Sequence, residues 1–181
     1  HPSVPVKSVA ELIAHAKAQP EELNYGSSGN GGSTHLVTEL FKTMAAVNLT
    51  HIPYKGAGPA LTEVIGGQVQ LMFLVPATAL PNMRNGRLRA LGISSAKRSA
   101  LAPDVPTIAE SGYPGYEDVT WNMLLAPAGT PKEIVNRLHA EVVKAYAQPE
   151  LMAKFAERGI ELAASASSEV FAQQVRAEVG G

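Results

Sequence analysis

A run of small, flexible residues between an apolar strand and a helix constrains the fold of this chain most strongly. Leu23 and Tyr25 mark the end of the strand, and the run covers residues 26–31. Apolar residues then recur at helical spacing, which predicts a helix that opens near Ser33 or Thr34. This order of elements is typical of an anion site, because the first N–H groups of a helix have no partner inside it and carry the positive end of its dipole.

The residues of this turn are the first candidates for ligand contact. Glycines let the backbone approach a ligand closely, and each serine hydroxyl can donate one hydrogen bond. A histidine in the first helical turn could either donate to a bound anion or support the loop. The candidates in this segment are Gly26, Ser27, Ser28, Gly29, Asn30, Gly31 and His35. The expected ligand is a carboxylate.

Two enzyme motifs that share this shape fail on their residues. A Walker-type phosphate loop needs lysine before the Ser/Thr, but Gly32 precedes Ser33. A nucleophile elbow needs G-x-S-x-G, and the corresponding run ends in Asn30. A serine hydrolase that uses Ser28 and His35 is a remaining alternative, although the loop holds no acidic residue to orient the histidine.

Strand and helix patterns alternate along the chain, which predicts an α/β fold with a mostly parallel sheet flanked by helices. Two capping boxes are expected to open helices, at Ser8–Glu11 and at Thr130–Glu133. The apolar stripes of three helices are Val9, Leu12, Ile13 and Ala16; then His35, Leu36, Val37, Leu40, Phe41 and Met44; then Ile134, Val135, Leu138, Val142 and Ala145. Core packing accounts for the last stripe without a partner. Strands are predicted at residues 47–53, 69–75, 88–93 and 160–162, and further helices at 59–66, 78–85, 150–158 and from about 168.

Two further loops follow predicted parallel strands. Open α/β sheets bind ligands at the carboxyl ends of their strands. Tyr54, Lys55 and Gly56 follow one strand, and Ala77 and Thr78 follow the next. We expect both loops to contribute to the ligand site, with Lys55 adding positive potential.

Composition removes several classes of function. The 181 residues are 45% hydrophobic and 17% charged, with a formal net charge of −1, as in a folded globular protein. No basic stripe is present, so nucleic acid is not an expected partner. No apolar run approaches the roughly 20 residues that span a bilayer, so membrane insertion is not expected. The absence of cysteine removes disulfides and thiolate metal sites, and no metal or organic cofactor is implied.

An ordered set of short motifs resembles one family along nearly the whole chain. The motifs are Tyr25-Gly-Ser-Ser-Gly29 with Gly32 and His35; His51-Ile-Pro-Tyr-Lys-Gly56 with Pro59-Ala-Leu61; Gly67-Gln-Val69 with Met72-Phe73; Gly86-Arg-Leu-Arg-Ala-Leu91; Pro103-Asp-Val-Pro-Thr107 with Glu110-Ser-Gly112; and Trp121 with Ala126-Pro-Ala-Gly-Thr-Pro131. The chain resembles the periplasmic solute receptors of tripartite tricarboxylate transporters, the Bug or TctC-like proteins. Leu74 and Val75 stand where members often carry an acidic residue, which weakens the case for an amino-acid ligand.

The resemblance implies a type II periplasmic-binding-protein architecture, one lobe complete and the other partial. Residues 1–117 would form the second ligand-binding lobe, and residues 118–181 the C-terminal part of the first lobe, whose N-terminal part is absent from the chain. The implied function is that of a periplasmic receptor, not an enzyme, that binds a small organic carboxylate and delivers it to the membrane permease subunits of a tripartite transporter. A sensing receptor that feeds a signalling partner is an alternative. The chain begins at His1 without methionine, so any signal peptide is expected outside it.

Overall fold

The computed structural model describes residues 1–20, 22–119 and 123–180, apart from the side chains of 178–180. Its contacts divide the chain into two compact units, residues 1–120 and 121–181. The elements of the first unit are α1 (Val9–Ala18), β1 (Asn24–Ser27), α2 (Ser33–Ala45), β2 (Thr50–Pro53), α3 (Ala57–Ile65) and α4 (Pro76–Arg84). Those of the second are α5 (Lys132–Tyr146), α6 (Pro149–Glu157) and α7 (Ser168–Gly180).

β1 is the central strand of a small parallel arrangement. β2 pairs with it on one side, with Tyr25 opposite His51 and Ser27 opposite Pro53. Leu71 bridges Tyr25 in parallel on the other side, and the Gly26 N–H donates to the Leu71 carbonyl at 2.9 Å. The chain therefore crosses from one side of β1 to the other after β2. Such a reversal opens a crevice at the carboxyl end of the central strand, where open α/β sheets bind ligands.

The predicted strands are longer than those that form. Only Thr50–Pro53 of the predicted segment 47–53 is a strand. The segments 69–75 and 88–93 are reduced to single bridges at Leu71 and Ile93, and residues 160–162 form no strand. Apolar alternation fixes the direction of side chains, but a strand also needs a neighbouring backbone within hydrogen-bonding reach. The sequence pattern carries no information on that neighbour.

The predictions for α1 are confirmed. The Ser8 hydroxyl accepts a hydrogen bond from the Glu11 N–H at 3.1 Å, as a capping serine does. The Glu11 carboxylate reaches back to the N–H of Lys7 at 2.7 Å, one residue before the expected partner. The predicted stripe of Val9, Leu12, Ile13 and Ala16 is buried.

α2 begins at Ser33, as predicted, and of its predicted apolar stripe it buries Val37 and Phe41. Its buried residues are Val37, Thr38, Phe41 and Ala45. The predicted stripe combined two faces of the helix, because Leu36, Leu40 and Met44 follow one another at intervals of four and are exposed. The side chain of Leu36 is 56% exposed.

The core of the first unit lies between α1, α2 and the strands. The Phe41 ring of α2 makes edge contacts with Phe73 and Tyr116, at centroid distances of 6.4 and 6.3 Å. The buried Tyr116 hydroxyl donates to the Val37 carbonyl at 2.9 Å. At Gly26 a Cβ would lie 3.5 Å from the Cβ of Ala60, an ordinary van der Waals contact, so α3 packs directly on β1 here.

The second unit packs α5 against α6 and α7. The predicted capping box at Thr130 is wrong, because the Thr130 hydroxyl donates to the Pro127 carbonyl at 2.8 Å and Pro131 is the N-cap. Because the backbone of Pro131 is extended, the helix begins one residue later than predicted, and Thr130 is not its N-cap. The expected core packing of the α5 stripe is incomplete, because Val135, Val142 and Ala145 are half-buried, Ile134 and Leu138 are exposed and no residue of α5 is fully buried. Trp121, one of the residues that carry the family resemblance, lies outside the described residues.

Candidate anion-binding site

The loops after β1 and β2 meet at the carboxyl edge of the sheet. The N–H of Tyr54 donates to the Ser27 carbonyl and that of Gly56 to the Ser28 carbonyl, both at 3.1 Å. These bonds continue the strand pairing into the loops, so the start of α3 lies beside the start of the glycine loop. A Cβ at Gly29 would lie 3.4 Å from the Tyr54 carbonyl oxygen.

The third predicted segment is placed at this edge by topology. The chain at Leu71 runs parallel to β1, and α4 opens five residues later at Pro76. The N–H of Thr78 donates to the Val75 carbonyl at 3.0 Å, whereas the Ala77 N–H has no partner among the described residues. Ala77 and Thr78 therefore follow a segment that runs toward the edge where the other two loops lie.

Two of the predicted ligand contacts serve the fold in this structure. Gly26 lies within β1, where its N–H pairs with Leu71. Ser27 is fully buried, and its hydroxyl lies 2.6 Å from His51 Nε2. A ligand at the surface of this unit would not touch the Ser27 side chain.

Several loop amides that the sequence offers as ligand donors are already paired. The N–H of Ser28 donates to Thr34 Oγ1 at 2.8 Å, and the N–H of Gly29 to Ser27 Oγ at 3.2 Å. The N–H of Gly31 donates to His35 Nδ1 at 3.0 Å. These bonds hold the loop, where Gly29 and Gly31 have φ angles of 132° and 72°, in the region that favours glycine.

The unpaired donors lie at the helix starts. Within the described residues, the N–H groups of Asn30, Ser33 and Thr34 have no hydrogen-bond partner, and no side chain caps α2. α3 repeats this arrangement, because its N-cap is Gly56 and the N–H groups of Ala57 and Gly58 are unpaired in the described part of the chain. Two neighbouring helix N-termini thus present free main-chain donors and the positive ends of two dipoles.

Polar side chains contribute few hydrogen-bond donors around the two helix N-termini. Asn30 and Lys55 are exposed, so both can reach a ligand or solvent. The half-buried Tyr54 ring packs beside Gly26, at 3.6 Å from the position of a Cβ. Burial, with a smaller effect of Glu63, raises the pKa of the Tyr54 hydroxyl, which stays a neutral donor.

Ser28 and His35 do not form a nucleophile–base pair. The Ser28 hydroxyl lies 3.0 Å from Thr34 Oγ1, and His35 Nδ1 accepts the Gly31 N–H. The short contact between Ser27 and His51 places the hydroxyl in the interior, away from any substrate at the surface. The geometry gives the hydrolase alternative no support.

A charged cluster behind the loop was missed by the sequence analysis. Glu39 of α2 accepts hydrogen bonds from the Tyr25 hydroxyl and from Lys42 Nζ, and its carboxylate lies 3.9 Å from His35 Nε2. Burial alone would raise the pKa of Glu39, but the hydrogen bonds and the charges of Lys42 and His35 outweigh it and lower the pKa. The spacing of His35, Glu39 and Lys42 on one helical face was the available signal.

The two best-formed pockets among the described residues lie elsewhere. One, of about 280 Å³, is lined by residues of α6 and its C-cap, Leu151 to Arg158. The other, of about 200 Å³, includes Leu23 and Gln70 at the amino end of β1, the opposite edge of the sheet. The candidate anion site is an open surface of the first unit.

A parallel α/β unit with free helix N-termini at the carboxyl edge of its sheet is the architecture of a periplasmic binding protein. Solved structures agree. The chain superposes with a TM-score of 0.86 and 40% identity on R. palustris Rpa4515 with adipate, covering 98% of this chain and 59% of that one. It superposes with a TM-score of 0.80 and 31% identity on MatC from Rhodopseudomonas palustris with bound malate, covering 97% and 60%.

Residues 1–179 match the family described as "Tripartite tricarboxylate transporter family receptor" (TctC), and the chain belongs to it. BugT of Bordetella pertussis is 38% identical over 161 residues, 88% of this chain and 49% of BugT. A UPF0065 protein from the tcbD–tcbE intergenic region of a Pseudomonas species is 38% identical over 173 residues, 95% and 51%. The chain thus spans about half the length of these relatives. Among the described residues no helix is long and apolar enough to cross a membrane.

Proposed function

We propose that this chain is the carboxylate-binding part of a periplasmic solute receptor that delivers a small organic carboxylate to a tripartite tricarboxylate-type transporter. Membership of the TctC family supports this assignment. Two similar structures hold the dicarboxylates adipate and malate. Residues 1–117 would form one ligand-binding lobe, and residues 118–181 would belong to the other.

The pair of uncapped helix N-termini carries the proposal. Two helices start beside each other at the sheet edge, and each presents free N–H groups at its first positions. These groups belong to Ser33 and Thr34 in α2 and to Ala57 and Gly58 in α3. Hydrogen bonds to a charged acceptor contribute about 1.5–3 kcal/mol each, roughly twice a neutral bond. Several preoriented neutral donors would therefore hold one carboxylate without an arginine. Lys55 and the Thr78 hydroxyl are the side chains that we expect to add to them.

Because its donors are main-chain N–H groups, the site would select ligands by their negative charge rather than by their shape. Main-chain N–H groups recognise the carboxylate, which every organic acid shares, and leave the remainder of the ligand to other contacts. The ligand class is therefore broad: dicarboxylates, tricarboxylates and aromatic acids all present the required group. Binding needs no bond to be made or broken at this surface.

Titration calorimetry tests the proposal with adipate and malate as ligands and the neutral diamide of adipic acid as the control. We expect at least one of the two acids to bind and the diamide to fail, because free N–H donors at helix starts favour negative charge. Equal binding of the diamide and the acid, or binding of neither acid, would contradict the assignment. Delivery is tested separately, by uptake into vesicles that carry the permease subunits.

A further inference from the structure

Three stacked rings beneath the glycine loop have no part in the proposed contact with the carboxylate. The His35 and His51 rings lie 4.1 Å apart between centroids and are nearly parallel, at 11°. The Tyr25 ring stacks on His51 at 4.7 Å, and its centroid lies 6.4 Å from that of His35. The rings come from three elements, β1, α2 and β2, and they converge behind residues 28–32.

Each imidazole of this stack controls one glycine amide of the loop. His35 Nδ1 accepts the Gly31 N–H directly, at 3.0 Å. His51 acts through Ser27, because its Nε2 lies 2.6 Å from Ser27 Oγ, which accepts the Gly29 N–H at 3.2 Å. Gly29 and Gly31 are the residues that hold positive φ angles in the loop. The stack therefore fixes the two backbone positions that set the path from β1 to the first turn of α2.

The charged groups around the stack set the tautomer of His35. Its Nδ1 accepts a hydrogen bond, so the neutral ring carries its proton on Nε2, which faces the Glu39 carboxylate at 3.9 Å. Tyr25 of β1 and Lys42 of α2 donate to the same carboxylate, and Lys42 Nζ lies 5.5 Å from the Tyr25 ring centroid. His51 of β2 completes the set of titratable groups that face His35. Burial and the neighbouring His35 lower the pKa of His51, against an opposing effect of Glu39.

We propose that His35 and His51 are positioning residues that hold the glycine loop with the Asn30, Ser33 and Thr34 amides free for the carboxylate. The inference rests on the proposed function.

The two histidines differ in what a proton does to them. A proton on His35 Nδ1 turns the acceptor of the Gly31 N–H into a donor, so the bond is lost. A proton on His51 Nε2 is tolerated, because the Ser27 hydroxyl can accept it and donate instead to the Gly29 carbonyl at 3.2 Å. The loop therefore needs the acceptor atom that His35 Nδ1 provides.

Two substitutions at His35 separate the acceptor from the ring. His35→Asn keeps an acceptor atom close to the position of Nδ1 but loses the stack, and His35→Phe keeps a stacked ring but loses the acceptor. We expect affinity for adipate or malate at about pH 8 to stay within about threefold in H35N and to fall at least about tenfold in H35F.

Amide hydrogen exchange tests the positioning role without any ligand. The Gly31 amide should exchange slowly in the wild type and in H35N and faster in H35F, and nitrogen chemical shifts should show the Nε2–H tautomer of His35. Equal Gly31 exchange in the three proteins, or the Nδ1–H tautomer of His35, would overturn the proposal. If neither acid binds the wild type, the proposed function fails, and the exchange result still decides whether His35 positions the loop.

Discussion

Both units of this chain contain a helix with a regular apolar stripe, but the stripe is buried in the first unit and largely exposed in the second. In the first unit the apolar stripe of α1 is buried, with Leu12 and Ile13 only 6% and 7% exposed. In the second unit the stripe of α5 is equally regular, but Ile134 and Leu138 are 51% and 46% exposed. A 3.6-residue period thus predicts that a helix forms and which face is apolar. It does not predict what covers that face.

The largest expected effect comes from large-to-small substitutions in the two units. Phe41→Ala should lower the free energy of unfolding by about 3–5 kcal/mol, because the ring is 3% exposed and packed against Phe73 and Tyr116. Leu138→Ala in α5 should cost less than about 1 kcal/mol, since about half of its side chain is already in water. Urea unfolding measures both. A cost for Leu138→Ala as large as that for Phe41→Ala would mean that the α5 stripe is covered in solution.

A smaller difference is expected between two tyrosine hydroxyls. Tyr25→Phe removes the donor to Glu39 from a ring that is fully buried, and should cost about 1–2 kcal/mol. Tyr146→Phe in α5 is the matched control, because the side chain is half-buried and its hydroxyl has no partner among the described residues; it should stay within about 0.5 kcal/mol. Equal effects in denaturant titrations would show that the Glu39 cluster adds nothing to stability.

The two predicted capping boxes give the next comparison. Ser8→Ala should cost about 1 kcal/mol, because the hydroxyl accepts an otherwise unpaired N–H of α1. Thr130→Ala should cost less than about 0.5 kcal/mol, because that hydroxyl bonds the Pro127 carbonyl and caps no helix. Thermal unfolding of the two variants checks the order, and a larger loss for Thr130→Ala would restore the sequence prediction for α5.

The smallest expected effect is a change in the pH dependence of unfolding. It concerns the hydrogen bonds between Thr107 and Glu110, a capping arrangement that the sequence analysis missed. The Glu110 carboxylate accepts the Thr107 N–H at 2.8 Å and pairs with Arg98, while the Thr107 hydroxyl accepts the Glu110 N–H at 3.0 Å. The backbone bond and then Arg98 lower the pKa of Glu110 below its usual 4.5. The stabilisation is therefore present above about pH 4.5 and is lost as the pH falls through the lower folded-state value. Glu110→Gln should flatten the pH dependence of unfolding in that range; an unchanged profile would contradict the assignment.

Local signals were predictable from sequence, and long-range partners were not. The Ser8 cap and the start of α2 at Ser33 depend on residues within a few positions, so the sequence predicted both. The prediction of a strand at 69–75 was wrong, because a strand needs a pairing partner that is distant in sequence. This segment forms only the single bridge between Leu71 and Tyr25. The edge of the sheet that holds the candidate site was also predictable, since loops after parallel strands share one edge.

The roles of individual donors in the loop required the structure. Spacing alone offers every amide from residue 26 to residue 33 to a ligand. The fold instead pairs Gly29 with Ser27 and Gly31 with His35, through hydrogen bonds whose geometry depends on the position of β2 and the rotation of α2. Among the described residues the free donors of this segment are the N–H of Asn30 in the loop and those of Ser33 and Thr34 at the helix start.

The claim that main-chain amides at the start of α2 hold the carboxylate is tested most directly at Ser33. Proline at this first helical position removes the N–H and fits the helix, and Gly32, with φ −72° and ψ 162°, has the backbone that precedes proline readily. Ser33→Ala keeps the N–H and removes only the hydroxyl. In calorimetric titrations with adipate or malate we expect S33P to lose at least about tenfold in affinity and S33A to stay within about threefold of wild type. Equal affinities for S33P and S33A would contradict the account.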